Sequence, residues 1–238
     1  MSAISSNNAT FFSSNIGVTD TATQGQHAGM GQGRSSGNQQ APFNNQQVEQ
    51  QIPLINNLLQ QVQADTLAYT REEEKLARDV YKTLGEQWGI NSFNNIANSE
   101  QQHMDAMGKQ LANYGLEDPV KDDSVGAFSN PDLADLYQQL IERGSQSPQE
   151  ALQVGAYIEE LDMLDLQQAI DEADQPGLVS AYENLLKGSR NHMRSFVGQI
   201  ENQGVDYQAQ ILPQATVDQI TSSGLERGNV GGGGRRGK

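Results

Sequence analysis

The sequence predicts an all-α protein, a four-helix bundle with one long crossover between its second and third helices. Three observations predict it. Four segments carry apolar residues at the three- and four-residue spacing that lines one face of an α-helix, with helix start or stop signals at their ends. No stretch alternates apolar and polar residues for long enough to form a strand. The links between these segments are tight except one of about 30 residues, long enough to run back along the bundle and deliver the third helix parallel to the second.

The first helix is expected at about 71–88, with the stripe Ala77, Val80, Tyr81, Leu84 and Trp88 and a stop at Gly89. Thr70 and Glu73, three residues apart, read as a capping box at its start. Before it, Ile52, Leu54, Ile55, Leu58, Leu59 and Val62 suggest a short helix packed on the main body. The second helix opens with Ser92 as cap, carries Phe93, Ile96, Ala97, Met104, Met107 and Leu111, and closes before Gly115. Within the crossover, Leu133, Leu136, Tyr137 and Leu140 mark a shorter helix stopping at Gly144. Ser147, Pro148 and Glu150 supply a cap, a first-turn proline and a capping-box acid for the third helix, whose stripe is Leu152, Gly155, Ile158, Leu166 and Ile170. The fourth follows the loop at 174–177 and turns Leu178, Ala181, Leu185, Phe196 and Ile200 inward until Gly204.

The flanks have a different composition. Residues 1–51 are rich in Ser, Asn, Gln and Gly, with Asp20, Arg34 and Glu49 the only charges, and are expected to be disordered because they cannot bury enough surface to offset chain entropy. The helical domain is placed at 52–208, and 209–238 is read as a flexible segment ending in a Gly run with Arg235, Arg236 and Lys238. A minority reading has this basic tail bind an acidic partner or the protein's own acidic surface.

Composition excludes several functions. The 238 residues hold 15 Lys and Arg against 30 Asp and Glu, a net charge of −15, which argues against a nucleic-acid partner. No cysteine is present, which rules out disulfides, zinc–thiolate sites, iron–sulfur clusters and thiol nucleophiles and leaves His, carboxylate or carbonyl as metal ligands. No apolar run approaches the roughly 20 residues of a membrane-spanning helix. The N-terminus lacks the basic start and apolar run of a cleavable signal peptide, so a cytoplasmic location and export by another route both fit.

The inner stripes are interrupted by ligand-type residues. Glu100 and His103 lie three apart between Ala97 and Met107, on the face that should be core. A carboxylate and an imidazole buried there need compensation, either from a metal ion or from a hydrogen-bonded pairing within the core. His192 follows Leu185 and Ser189 on the inner stripe of the fourth helix. Glu74, seven and fourteen residues before Tyr81 and Trp88, faces inward on the first. Glu159 aligns with Leu152, Gly155 and Leu166, and Asp162 lies one turn on. Glu160 shares its face with Gln153 and Gln167 and is expected to be solvated. Each residue alone fits an ordinary core histidine or surface acid, but four helices each turning one inward point to a metal site. The candidate ligands are Glu74, Glu100, His103, Glu159, Asp162 and His192.

The segments EEEKLARDVY (72–81), FNNIANSEQQHMDAM (93–107), VGAYIEELDMLDL (154–166) and LLKGSRNHMRSF (185–196) resemble the DUF2202 domain family, placed in the ferritin-like superfamily, over about residues 66–208. Within that superfamily rubrerythrin holds two irons with Glu, Glu-x-x-His, Glu-x-x-Glu and Glu-x-x-His on successive helices. The resemblance implies Glu74 with Tyr81 for the first pattern, Glu100 with His103 for the second, and Glu159 with Asp162 for the third, with Glu160 a rival by one residue of register. In the fourth pattern His192 remains but Ser189 replaces the acid. The resemblance therefore implies iron or manganese in a mononuclear or asymmetric di-metal site, with Glu74 and Glu159 as bridges, and a peroxidase- or ferroxidase-type oxidoreductase. Tyr81 is read as a hydrogen-bond partner of a ligand, an electron donor or simply a packed ring. A non-catalytic interaction or structural protein that keeps the bundle is the alternative. Iron storage, which needs a shell of many subunits, is a third reading, and homo-oligomerisation stays open.

Overall fold

The computed structural model describes residues 45–227, with side chains from Gln60 onward. The expectations for residues 1–44 and for the Gly-rich tail at 228–238 lie outside these residues. The chain divides into Met1–Pro53, of which helical backbone at 45–53 is described, and Leu54–Lys238, which holds the bundle. Six helices are present among the described residues: α1 (Asn45–Trp88), α2 (Asn91–Asn113), α3 (Pro131–Gly144), α4 (Pro148–Glu172), α5 (Pro176–Glu201) and α6 (Gln214–Ser222). None is long and apolar enough to cross a membrane.

Helices α1, α2, α4 and α5 form the four-helix bundle, and their side-chain contacts set its directions. Tyr81 reaches the Gly155 carbonyl while Gln63 reaches that of Glu172, so α1 and α4 are antiparallel. His103 meets Glu74 and Gln101 meets Arg78, so α2 also runs against α1. Helices α2 and α4 are therefore parallel, as the long crossover requires. One apolar cluster includes Leu76, Val80, Phe93, Met193 and Phe196. A second, toward the other end, includes Leu67, Met107, Leu111, Leu166 and Leu185. Between them every one of the four helices turns polar. In the first cluster the rings of Tyr81, Phe93 and Phe196 pack with centroids 5.2–5.7 Å apart. Gly155 permits this closeness, since a Cβ there would fall 2.5 Å from the Phe196 ring.

The charged residues of the first motif hold the crossover in place. The Glu72 carboxylate accepts from the backbone N–H groups of Ser129 (2.6 Å) and Asn130 (3.0 Å) at the start of α3. Lys75 donates to Asp79 (2.6 Å) and to the Ser124 carbonyl (2.8 Å), and Arg78 pairs with Asp79 and Asp123. These buried charges are thereby matched by opposite charge and by loop carbonyls, the condition under which burial is tolerable.

Three local expectations are corrected. The apolar run at 52–62 belongs to α1, which passes through Thr70 without a break, so Thr70 is no cap: its hydroxyl donates to the Thr66 carbonyl one turn back. Glu73 is consequently not a capping-box acid and lies buried. Ser92 does not cap α2; Ile90 precedes it with no side-chain cap, and the Ser92 hydroxyl reaches Gln199 on α5. Ser147 does cap α4, accepting from the Glu150 N–H, and Asn130 caps α3.

The segment from 209 on, expected to be flexible, carries α6 with Val217 and Ile220 buried, and Glu226 pairs with Arg190 and Arg194 of α5. Glu160, expected to be solvated, is fully buried because this segment covers its face. It accepts from the Tyr207 hydroxyl (2.7 Å) and from the N–H groups of Gln210 (2.9 Å), Ile211 (2.6 Å) and Leu212 (2.7 Å). Replacing Glu160 by Ala leaves those donors without an acceptor, at about 1–3 kcal/mol for each that stays dry. We expect a clearly lower urea midpoint by circular dichroism and earlier proteolysis at 205–212; an unchanged midpoint would contradict this role.

Candidate metal centre

All four bundle helices deliver acids or imidazoles to the gap between the apolar clusters. Glu74, Glu100, Glu159, Asp162 and His192 are buried and His103 nearly so, its side chain 13 % exposed. The three- and four-residue spacings that made the stripes apolar also aim these residues inward. Among the described residues two groups have ligand atoms within 4.8 Å of one another: Glu74, Glu100 and His103, and Glu100, Glu159 and His192.

Glu100 is common to both groups. Its Oε2 lies 2.7 Å from His103 Nδ1, and its Oε1 lies 2.8 Å from His192 Nδ1. Glu74 Oε2 is 3.2 Å from His103 Nδ1, and Glu159 Oε2 is 3.5 Å from His192 Nδ1. The carboxylate on α2 is thus shared by the two groups, whereas Glu74 and Glu159 each belong to one. Asp162 belongs to neither group: one of its oxygens accepts a short hydrogen bond from Ser189, whose hydroxyl also reaches the Leu185 carbonyl. Ser189, standing where a fourth acid was sought, orients Asp162 instead.

The donor set fits a metal ion. Glu74 Oε1, Glu100 Oε1, Asp162 Oδ1 and His192 Nδ1 are buried with no hydrogen-bond partner among the described residues. Glu100 Oε1 and His192 Nδ1 are close without being aligned as donor and acceptor, as expected of atoms directed at a shared third point. Dry unpaired oxygens are costly, and an ion held by carboxylates and imidazoles removes that cost.

Other residues hold the ligands still. The Tyr81 hydroxyl donates to Glu159 Oε1 (2.5 Å), the first of the roles read for it. Ser99 Oγ lies 3.0 Å from His192 Nε2, fixing the nitrogen that faces away from the acids. A Cβ on Gly188 would fall 2.6 Å from the His103 ring, so glycine makes room for that imidazole. The two rings stack with centroids 5.6 Å apart. Sequence reasoning missed Ser99 and Gly188; their positions beside Glu100 and Ser189 within the quoted motifs were the only signal.

Without a metal, protons carry the compensation. Burial lowers the His103 and His192 pKa values, but Glu74 and Glu100 outweigh it for His103, raising it well above the ordinary value, and Glu100 with Glu159 push His192 up to about 10. Burial raises Glu74 to about 7 despite the neighbouring His103. Burial also raises Asp162, reinforced by Glu74 and Glu159. For Glu100 the two imidazoles overcome burial and hold the carboxyl below its usual range.

Residues 63–224 match the family described as Uncharacterized protein domain (DUF2202). The chain belongs to the DUF2202 family. The DUF2202 match takes in α6, in line with the packing of that helix on the bundle. The chain is 51 % identical over 158 residues to Uncharacterized protein MJ0754 of Methanocaldococcus jannaschii, covering 66 % of this chain and 85 % of the relative. It also superposes on a crystal structure of hypothetical protein MJ0754 from Methanococcus jannaschii with a TM-score of 0.67 and 49 % identity, covering 68 % of this chain and 93 % of the other.

The titrations set a pH dependence. Groups whose folded pKa is raised bind more protons folded than unfolded, so their contribution to stability falls as pH rises: for Glu74 between about 4.5 and 7, for His192 between about 6.5 and 10. Metal binding displaces these protons and is favoured over the same range. The metal-free protein should therefore lose melting temperature from pH 5 to 9 while the increment from added Mn2+ grows. A steady rise for the metal-free form over that range would contradict the assignment.

Proposed function

We propose that the protein is a ferritin-like metalloprotein that binds iron or manganese between its four helices and acts on peroxide or dioxygen. The observation that carries the reading is Glu100, whose two carboxylate oxygens each face a different imidazole with a further acid on each side. Iron or manganese so bound would supply one-electron redox chemistry. Around it, His103 and His192 would act as terminal nitrogen donors, and Glu74, Glu100 and Glu159 would balance charge. Tyr81 would hold Glu159 in one orientation, and the flanking apolar clusters would keep bulk water out. His103, the most exposed of the set, marks the α2–α5 side as the approach for a small oxidant.

One observation favours the non-catalytic reading. In the metal-free state, protonated His103 and His192 already neutralise part of the acid cluster, so the bundle can persist without an ion.

Metal analysis of protein purified without a histidine tag separates the two. The two ligand groups lead us to expect about two ions per chain in the parent, about one in His103→Ala and close to none in Glu100→Gln, each variant checked for helical content. Glu100→Gln that retains the parent's metal while folded would remove the shared-ligand assignment.

A further inference from the structure

The two imidazoles of the candidate centre are held differently. His192 is tied at both nitrogens: Nδ1 lies 2.8 Å from Glu100 Oε1, and Nε2 lies 3.0 Å from Ser99 Oγ. Glu159, the acid beside it, accepts from the Tyr81 hydroxyl at Oε1, and Tyr81 is fully buried. Both residues that join Glu100 in this group therefore have an outer partner that fixes their orientation. His103 has inner partners only, with Nδ1 2.7 Å from Glu100 Oε2 and 3.2 Å from Glu74 Oε2. Among the described residues no hydrogen-bond partner meets its Nε2; that edge of the ring rests against Gly188, where a Cβ would fall 2.6 Å from it. Glu74 Oε1 is likewise without a partner among the described residues.

Both imidazoles border the same seam. Ser92 with Gln199, Ser99 with His192 and His103 with Gly188 set α2 against α5 in one antiparallel register, and Ser92, Ser99, Gly188 and Ser195 along it are all partly exposed. The side chains of His103 and His192 are 13 % and 10 % exposed, so the outer partner, and not depth, separates them. An ion leaves a site when its ligands let go one after another, and a ligand hydrogen-bonded on its far side stays aimed at the ion. Such outer partners change metal affinity by roughly 10–100-fold.

We propose that the two groups divide the work: Glu100, Glu159 and His192 retain a resident ion, whereas Glu74, Glu100 and His103 form a loading position that takes aquated divalent cations through the α2–α5 seam and gives them up again. Ser99, with Tyr81 behind Glu159, is the positioning residue that creates the difference, acting on the ion through His192. The ion at the loading position is then cargo or substrate, and the other is part of the protein. This division rests on the metal-binding reading above and assigns exchange to one group within it.

The test uses the full chain loaded with Mn2+ and mixed with excess chelator, the ions still bound being counted at intervals after rapid desalting. The parent should release one ion per chain quickly and a second at a rate about tenfold lower. Ser99→Ala should speed the slow ion about tenfold and leave the fast one unchanged, and Ser99→Thr, which keeps the hydroxyl, should restore the parental rate. Gly188→Ala, whose Cβ displaces the His103 ring, should lose the fast ion and keep the slow one. Both ions leaving the parent at one rate, or Ser99→Ala speeding both equally, would overturn the proposal and leave the metal-binding reading intact. So would a Gly188→Ala protein that keeps the fast ion and loses the slow one. A parent that holds no Mn2+ would defeat the metal-binding reading and the division of work with it.

Discussion

Everything in this bundle is arranged around the need to compensate Glu100. A carboxylate in a dry interior has to be neutralised, and each of its oxygens is met by an imidazole, one from its own helix and one from α5. Those imidazoles require further acids, which α1 and α4 supply through Glu74 and Glu159. The residues of this ring come from all four helices, so the charges tie the bundle together alongside the apolar packing. The apolar clusters on either side have the complementary task of excluding water, which strengthens every interaction between them.

The first motif shows how densely about three turns of helix can be used. Within EEEKLARDVY, Glu72 holds the start of α3, Lys75, Arg78 and Asp79 hold the crossover, and Glu74 and Tyr81 belong to the candidate metal centre. Loop anchoring and ligand placement thus share one rigid segment. A shift of the crossover is transmitted to Glu74 through the same backbone, which links the geometry of the centre to a connection that never touches it.

Much of this was legible in the sequence, for a definite reason. Helical periodicity is a local property, so the stripes, the crossover and the inward aim of Glu100, His103 and His192 could be read directly. The capping box at Thr70 failed because the pattern marks a helix start only where the preceding residues are not helical, and here α1 extends upstream. Glu160 was misread because its partners lie about fifty residues further on, and no period within α4 reports a covering segment. The shared role of Glu100, the orienting role of Ser189 and the space at Gly188 depend on rotamers and on the distance between helices, which spacing along one helix does not encode.

The position of the strap on Glu160 bears on how the chain is made. Tyr207, Gln210 and Leu212 follow α5 in the chain, so they leave the ribosome after α1, α2, α4 and α5 and Glu160 faces water until they do. Closure of that carboxylate, and the pairing of Glu226 with Arg190 and Arg194, come only as the last described turns emerge. A chain cut short near residue 208 would keep the candidate ligands yet leave the Glu160 carboxylate without its backbone N–H donors, an acid that must then take water or a proton.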